Sequence, residues 1–355
     1  MHSELKAVST LITDIISNDN FCDNIEPKHL HDAVKLYPLR AGKRLRPAIV
    51  LWCCGLLNGD LEQAKYAAAA VEVYHNWTLV HDDIIDGDEL RRGMPATHTE
   101  IKHYAQCSYN ILPKECDKFG VDFGILAGDL QQAWAVSLLM KSRQVGVPEN
   151  VVLSLCRDMA NKLAVELISG EALDVDFSYR NIESITPEEV EKMLFLKTSA
   201  LLNYSAGCGA RIALNTPDAE NEKVKKIIEF TSSLGIAFQL RDDWLGIYGD
   251  EKKLGKPIGS DICSAKPTLL ILETLKNINN SARKHILNLL GKETISTDEL
   301  DSIRSYVTSS GAERTILEKL NAMKLKADNT LAGFQDNKYK KLLLELNDYL
   351  LKRNI

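Results

Sequence analysis

The chain has 355 residues, 45% hydrophobic and 26% charged, which is enough to bury a large core in one or two domains. Its 20 Gly, 10 Pro and 6% aromatic content favour helix and speak against a β-sandwich. A net charge of −6 without a long basic block excludes a nucleic-acid binder, and no apolar run reaches the length of a membrane span. The eight cysteines are scattered and form no C-x-x-C pair, so a zinc cluster is not expected. With no signal-like stretch at the start, they read as reduced thiols of a cytoplasmic protein.

Leu5, Val8, Leu11, Ile12, Ile15 and Ile16 recur at helical spacing and predict a helix over 3–17. Pro38 and the 40–47 stretch break the next helical region. Residues 48–81 read as two helices with a turn at Asn58-Gly59-Asp60, and Val71, Tyr74, Thr78 and His81 trace one face of the second. The polar stretch 87–93 predicts a loop. Residues 101–121, with Pro113 and Gly120, are expected to be irregular, an insertion or a mobile segment. Helical patterning resumes at Ile125 and continues through 127–142, 149–173, 187–215 and 219–247. Residues 246–266, rich in Gly, Asp and Lys, predict a second functional loop, and 267–355 is again helical. Without a linker or a repeat, the expected fold is all-α: a single domain over 1–355, a bundle of long helices around a central cavity. Apolar stripes on more than one helix face suggest burial against another subunit.

Two acidic clusters carry the chemistry. In Val80-His81-Asp82-Asp83-Ile84-Ile85-Asp86, Asp82 and Asp86 lie four apart and share one helix face. Stacked carboxylates repel unless a cation lies between them. Hard oxygen donors favour Mg²⁺ or Ca²⁺, and Mg²⁺ takes a few carboxylates together with substrate phosphates. Alone, this cluster reads equally well as an exposed acidic helix end. The apolar lead-in of Trp77, Leu79 and Val80 places it at the mouth of a core instead. The second cluster, Phe238-Gln239-Leu240-Arg241-Asp242-Asp243-Trp244-Leu245-Gly246, again closes an apolar helix with adjacent acids. Two such clusters can hold divalent ions that stabilise charge on a departing oxyanion. Cations accompany both: Gly42-Lys43-Arg44-Leu45-Arg46-Pro47, then Arg91-Arg92-Gly93, then Lys197-Thr198, Lys256 and Lys266. Singly, each is more often a solvated surface charge. Together with the acids they describe a site for two anionic diphosphates.

On these motifs the chain resembles the trans-prenyltransferases of the polyprenyl synthetase family, the group that includes farnesyl and geranylgeranyl diphosphate synthases. The resemblance runs from Gly42 to Lys266, most of the chain, and the motif order is specific. It implies an isoprenoid-synthase fold, a homodimer, and condensation of isopentenyl diphosphate with an allylic diphosphate (dimethylallyl, geranyl or farnesyl). It implies that Asp82 and Asp86 hold two Mg²⁺ ions with Asp83 in support. Asp242 would hold a third, with Asp243 beside it and Mn²⁺ an acceptable substitute. Lys43, Arg46, His75 and Arg92 match the isopentenyl diphosphate pocket; His75 alone would pass for an ordinary half-buried histidine. Arg91, Lys197, Thr198, Gln239, Lys256 and Lys266 match the grip on the allylic diphosphate. The chain departs from the family pattern at Gly246 (often Asp), at Glu171 in Gly170-Glu171-Ala172-Leu173-Asp174 (usually Gln), at Ala265 (usually Gly), and in a longer segment between Arg92 and Gly128.

The implied reaction is ionisation, condensation, elimination. Oxygens of Thr198 and Gln239 are candidates to stabilise the allylic cation, and the released diphosphate can serve as base. Trp77 and Tyr74, five and eight residues before Asp82, would floor the product cavity and favour farnesyl or geranylgeranyl diphosphate over longer chains. The alternative is that both simply pack a helix–helix contact. The two-residue gap between Asp83 and Asp86 resembles archaeal-type and eukaryotic enzymes. A class I terpene cyclase would not need Lys43, Arg46 and Arg92, and a non-catalytic partner subunit would tend to lose the acids that this chain keeps.

Overall fold

The computed structural model describes residues 1–249 and 258–351. Apart from one short hairpin, the regular elements of these residues are helices. They begin with α1 (His2–Ser17), α2 (Lys28–Leu39), α3 (Leu45–Leu56) and α4 (Leu61–Ile85). The hairpin β1 (Leu90–Arg91) and β2 (Met94–Pro95) follows, then α5 (Thr97–Ser108), α6 (Pro113–Met140) and α7 (Glu149–Asp158). Next come α8 (Ala164–Tyr179), α9 (Pro187–Leu194), α10 (Ala200–Ala213), α11 (Glu222–Tyr248) and the one-turn α12 (Ser260–Cys263). The chain ends with α13 (Leu269–Asn277), α14 (Asn280–Leu289), α15 (Thr297–Ser309), α16 (Ala312–Ala332) and α17 (Lys338–Leu351). None of the described helices is long and apolar enough to cross a membrane.

The expectation of irregular structure over 101–121 is wrong: α5 and α6 occupy most of it. Pro113 is the first residue of α6, where no intrahelical hydrogen bond is lost and its fixed φ suits the helix. Glu115 closes that first turn by accepting from the Leu112 N–H at 2.8 Å. Gly120 sits within α6 because the His98 carbonyl lies where a Cβ would be. The glycine records close approach of α5, not a break. Likewise Pro38 is tolerated one residue before the end of α2, and Pro47 lies in the first turn of α3.

The described chain falls into two compact units. The first comprises Met1–Leu163, Tyr204–Lys225 and Asn337–Leu342. Its core contains Ile12, Ile16, Trp52, Trp134, Leu138 and Leu139, all almost inaccessible. From Pro47 to Leu56 every residue of α3 is buried, as expected of a helix that is apolar on all faces. α4 packs along α6 and presents its end, with the first acidic cluster, to the following loop. The second unit comprises Ala164–Asn203, Lys226–Asp336 and Leu343–Ile355. Its apolar core gathers Phe177, Leu194, Leu240, Leu270, Ile303 and Ile316, and α11 carries the second acidic cluster on the same helix as Leu240.

Candidate active site

In the first unit, Asp82 lies in the last turn of α4 and Asp86 caps it. The Asp86 N–H donates to the Asp82 carbonyl at 2.8 Å, so helical register persists through both. Their side chains therefore stack one turn apart, as the spacing requires. Asp83 is 0% exposed. Its Oδ1 accepts from Arg91 Nε at 2.7 Å and from a terminal nitrogen of the same guanidinium, and its Oδ2 accepts from the Tyr37 hydroxyl. Burial raises the Asp83 pKa, against the lowering effect of these donors. The same terminal nitrogen of Arg91 also donates to Asp82 Oδ2 at 3.1 Å. Burial works against the Arg91 charge, but the hydrogen bond and charge of Asp83 outweigh it and raise its pKa.

The cations of the Gly42–Pro47 loop are set by a buried anchor. Arg44 has φ 49 and ψ 41, a left-handed conformation that a residue other than glycine adopts at a cost. It is held there by Glu72 of α4 and by the carbonyls of Pro38 and Arg40 at 2.6 and 2.9 Å. Arg46 Nη1 lies 3.0 Å from His75 Nε2. A guanidinium can only donate, so Nε2 is the acceptor and His75 is neutral. Burial and the nearby Arg46, Arg92, Arg91 and Arg44 push the His75 pKa well below its ordinary value. Burial also lowers Arg46 to about 10, still a cation at neutral pH. Arg92, with φ 56, donates to the Ala41 carbonyl at 2.9 Å, and Lys43 is exposed. Behind them, Tyr74 and Trp77 are buried in edge-to-face contact at 4.8 Å, and the Tyr74 hydroxyl lies 3.5 Å from the Met159 carbonyl.

In the second unit, Lys197 and Thr198 lie in a π-helical turn, Phe195–Ser199. Such bulges are frequent at functional sites. Gly170 of α8 makes room for it: a Cβ there would collide with the Lys197 backbone nitrogen. Lys197 Nζ lies 2.7 Å from Asp174 and 2.8 Å from Glu171, so the acid at 171 pairs with the lysine. Lys266 approaches Asp174 at 3.6 Å. The Thr198 hydroxyl donates to Gln239 Oε1 at 3.3 Å, and Gln239 Nε2 donates to Asp243 Oδ1 at 3.3 Å. Burial, then Asp261, raise the Asp243 pKa well above the carboxylate range; Gln239 opposes this, while Asp242 and Asp174 add to it. Asp261 Oδ2 would lie 2.9 Å from a Cβ at position 246, so the glycine there leaves room for the Asp261 carboxylate. Ala265 adopts φ 51, the left-handed region in which glycine is unstrained, so the backbone keeps the glycine conformation without the glycine. Lys256 lies outside the described residues.

Tyr37 and Glu72 carry no local signal and escape the sequence reading. Their roles arise from partners 46 and 28 residues away. Among the described residues, no group of three acids, histidines or cysteines forms a ready-made metal cage. The donor set suits Mg²⁺ nonetheless, because that ion takes one or two carboxylates and fills its shell with water and phosphate.

Carboxylates at two helix ends, set beside guanidinium and ammonium groups, are the donor types with which proteins hold a divalent metal and a diphosphate. A family model for polyprenyl synthetase matches residues 27–307. The geranylgeranyl diphosphate synthase of Sulfolobus acidocaldarius is 36% identical over 85% of this chain and 83% of that enzyme. The crystal structure of geranylgeranyl pyrophosphate synthetase from Pyrococcus horikoshii matches with a TM-score of 0.85 at 31% identity, covering 99% of this chain and 98% of that one. A geranylgeranyl pyrophosphate synthase from Corynebacterium glutamicum, solved with isoprenyl diphosphate and magnesium, matches with a TM-score of 0.83 at 27% identity, covering 99% of each. The chain belongs to the polyprenyl synthetase family and is a prenyltransferase.

Proposed function

We propose that this chain is a short-chain trans-prenyl diphosphate synthase that joins isopentenyl diphosphate to an allylic diphosphate, giving farnesyl or geranylgeranyl diphosphate. One observation supports this above the others. Arg46, His75, Arg91 and Arg92 gather near Asp82, and Lys197, Gln239, Asp242, Asp243 and Lys266 gather near Asp174, as the family resemblance would require of metal and phosphate ligands. Residues 1–355 act as one isoprenoid-synthase domain in this reading, since the family match runs through both units.

Asp82 and Asp86 would hold two magnesium ions and Asp242 a third. When bound, the ions would neutralise charge on the departing diphosphate. Arg91, Lys197, Lys256 and Lys266 hold the allylic diphosphate while its C–O bond breaks and the electron pair leaves with oxygen. Lys43, Arg46, Arg92 and neutral His75 hold isopentenyl diphosphate, whose double bond then forms the new C–C bond. The Thr198 and Gln239 oxygens face the developing cation, and a proton leaves to the released diphosphate. Preorganised charge in a water-poor site is the main source of rate. The enzyme works in the cytoplasm as a homodimer.

The test is a product assay with Mg²⁺, labelled isopentenyl diphosphate and each allylic starter, with the dephosphorylated products sized by chromatography. A dominant farnesol or geranylgeraniol is expected. Folded protein that elongates no starter would refute the synthase. Trp77→Ala and Tyr74→Ala are expected to lengthen the products, by opening the floor of the cavity; an unchanged distribution would make both residues mere packing.

A further inference from the structure

The loop between α4 and α5 carries Arg91 and Arg92, and one hydroxyl group holds both of its ends. The Tyr37 hydroxyl, at the end of α2, donates to Asp83 Oδ2 just before the loop. It accepts from the Thr97 backbone N–H at 3.2 Å just after it. The neighbouring Arg40 lies over the Tyr37 ring at 5.2 Å and donates to the Pro95 carbonyl at 2.7 Å, adding a second tie from the same helix end.

Asp83 is too deeply buried to meet a metal ion itself. Its two oxygens are divided: Tyr37 has one and Arg91 the other. That division matters for Arg91. A carboxylate with both oxygens available prefers a forked, two-bond pair with a guanidinium. With Oδ2 held by Tyr37, Arg91 can take only Oδ1, and its terminal nitrogen is left to bridge to Asp82 Oδ2 at 3.1 Å. We propose that Tyr37 is a positioning residue for diphosphate and metal binding: by holding one oxygen of Asp83 it keeps Arg91 astride Asp83 and Asp82. Without the hydroxyl, Asp83 turns to take Arg91 two-pronged. The guanidinium is then drawn off Asp82, and the loop loses one of its ties. Arg92 is held separately, through Ala41, so the effect falls on one substrate. The inference rests on the proposed function, in which Asp82 takes magnesium and Arg91 the allylic diphosphate.

The experiment compares the wild type with Tyr37→Phe, Arg91→Ala and the double variant. Binding of inorganic diphosphate with Mg²⁺ is followed by calorimetry, and KM is measured for each substrate. Tyr37→Phe keeps the ring and removes the hydroxyl. It is expected to weaken Mg²⁺–diphosphate binding and raise the allylic KM about tenfold, the scale of one hydrogen bond to a charged group. The isopentenyl diphosphate KM stays unchanged, and Tyr37→Phe costs nothing further in the Arg91→Ala background. Arg91→Lys, which keeps the charge but cannot straddle two carboxylates, reproduces the allylic-selective loss without touching Tyr37. Wild-type diphosphate binding in Tyr37→Phe, with or without a lower melting temperature, overturns the inference, as does wild-type behaviour of Arg91→Lys or strict additivity in the double variant. Failure of the wild type itself to bind Mg²⁺–diphosphate or to condense the substrates would overturn the proposed function instead.

Discussion

Both acidic clusters bury the second residue of an Asp-Asp pair: Asp83 is 0% and Asp243 7% exposed. Their surroundings are opposite. Asp83 accepts from the Tyr37 hydroxyl and from two nitrogens of Arg91. Among the described residues, Asp243 accepts from the Gln239 amide and faces Asp261, Asp242 and Asp174. In the second cluster the nearby lysines 197 and 266 approach Asp174. Burial raises the pKa of both carboxyls, but at Asp83 the hydrogen bonds of Arg91 and Tyr37 and the charge of Arg91 oppose the rise, whereas at Asp243 three neighbouring carboxylates add to it. A cation arriving at the second cluster would relieve that crowding.

The largest effect is expected where compensation in the first unit is complete. Arg44→Ala leaves Glu72 buried and unpaired, with side-chain exposures of 2% and 5% for the pair. It should cost about 3–5 kcal/mol in urea unfolding; a loss below about 1 kcal/mol, the size of a surface pair, would contradict the anchoring role. Next in size, Asp82→Ala should lower turnover about a hundredfold to a thousandfold, as for loss of one preorganised electrostatic contact. A near-normal rate would remove Asp82 from the metal set.

Asparagine substitutions bear on the contrast most directly: both carboxyls have a raised pKa, but only at position 83 does the amide also set its NH₂ against converging donors, and that loss should reverse the sign. Asp83→Asn puts an amide where three donors converge and should destabilise by about 1–3 kcal/mol. Asp243→Asn should stabilise the chelator-treated protein by a similar or smaller amount. The sign follows from linkage. A carboxyl whose folded pKa is raised loses stability as pH climbs above its unfolded value of about 4, so the advantage of Asn appears above that pH and grows toward neutrality. Thermal melts in chelator from acid to neutral pH measure both, and equal signs would refute the comparison.

The helices and both acidic motifs were legible because local pattern determines them. Apolar spacing marks a helix face, and four-residue spacing stacks Asp82 on Asp86. The 101–121 segment misled because Pro113 and Gly120 break helices in general, and only the tertiary positions, a first turn and a contact with His98, make them compatible with helix. Asp83 and Asp243 look equivalent in sequence since their distinguishing partners, Tyr37 and Asp261, come from elsewhere in the chain. Arg44 stood inside a recognised basic motif, yet its role as a buried anchor needed Glu72, which nothing nearby advertises.

The smallest effect tests whether like-charge crowding is a property of the second cluster alone. His75, half-buried and neutral among Arg46, Arg92, Arg91 and Arg44, is the counterpart in a cationic setting, with a folded pKa well below the ordinary value, through desolvation first and then these charges. Here the unfolded chain takes up a proton near pH 6.5 and the folded chain does not. Stability should therefore fall as pH drops below that value, by up to about 1.4 kcal/mol per pH unit. His75→Gln can still accept from Arg46 but does not titrate, so its urea midpoint should lose that share of the slope between pH 6.5 and 5.5. Identical slopes in the two proteins would mean that His75 is protonated in the fold, and Arg46 would then need another acceptor.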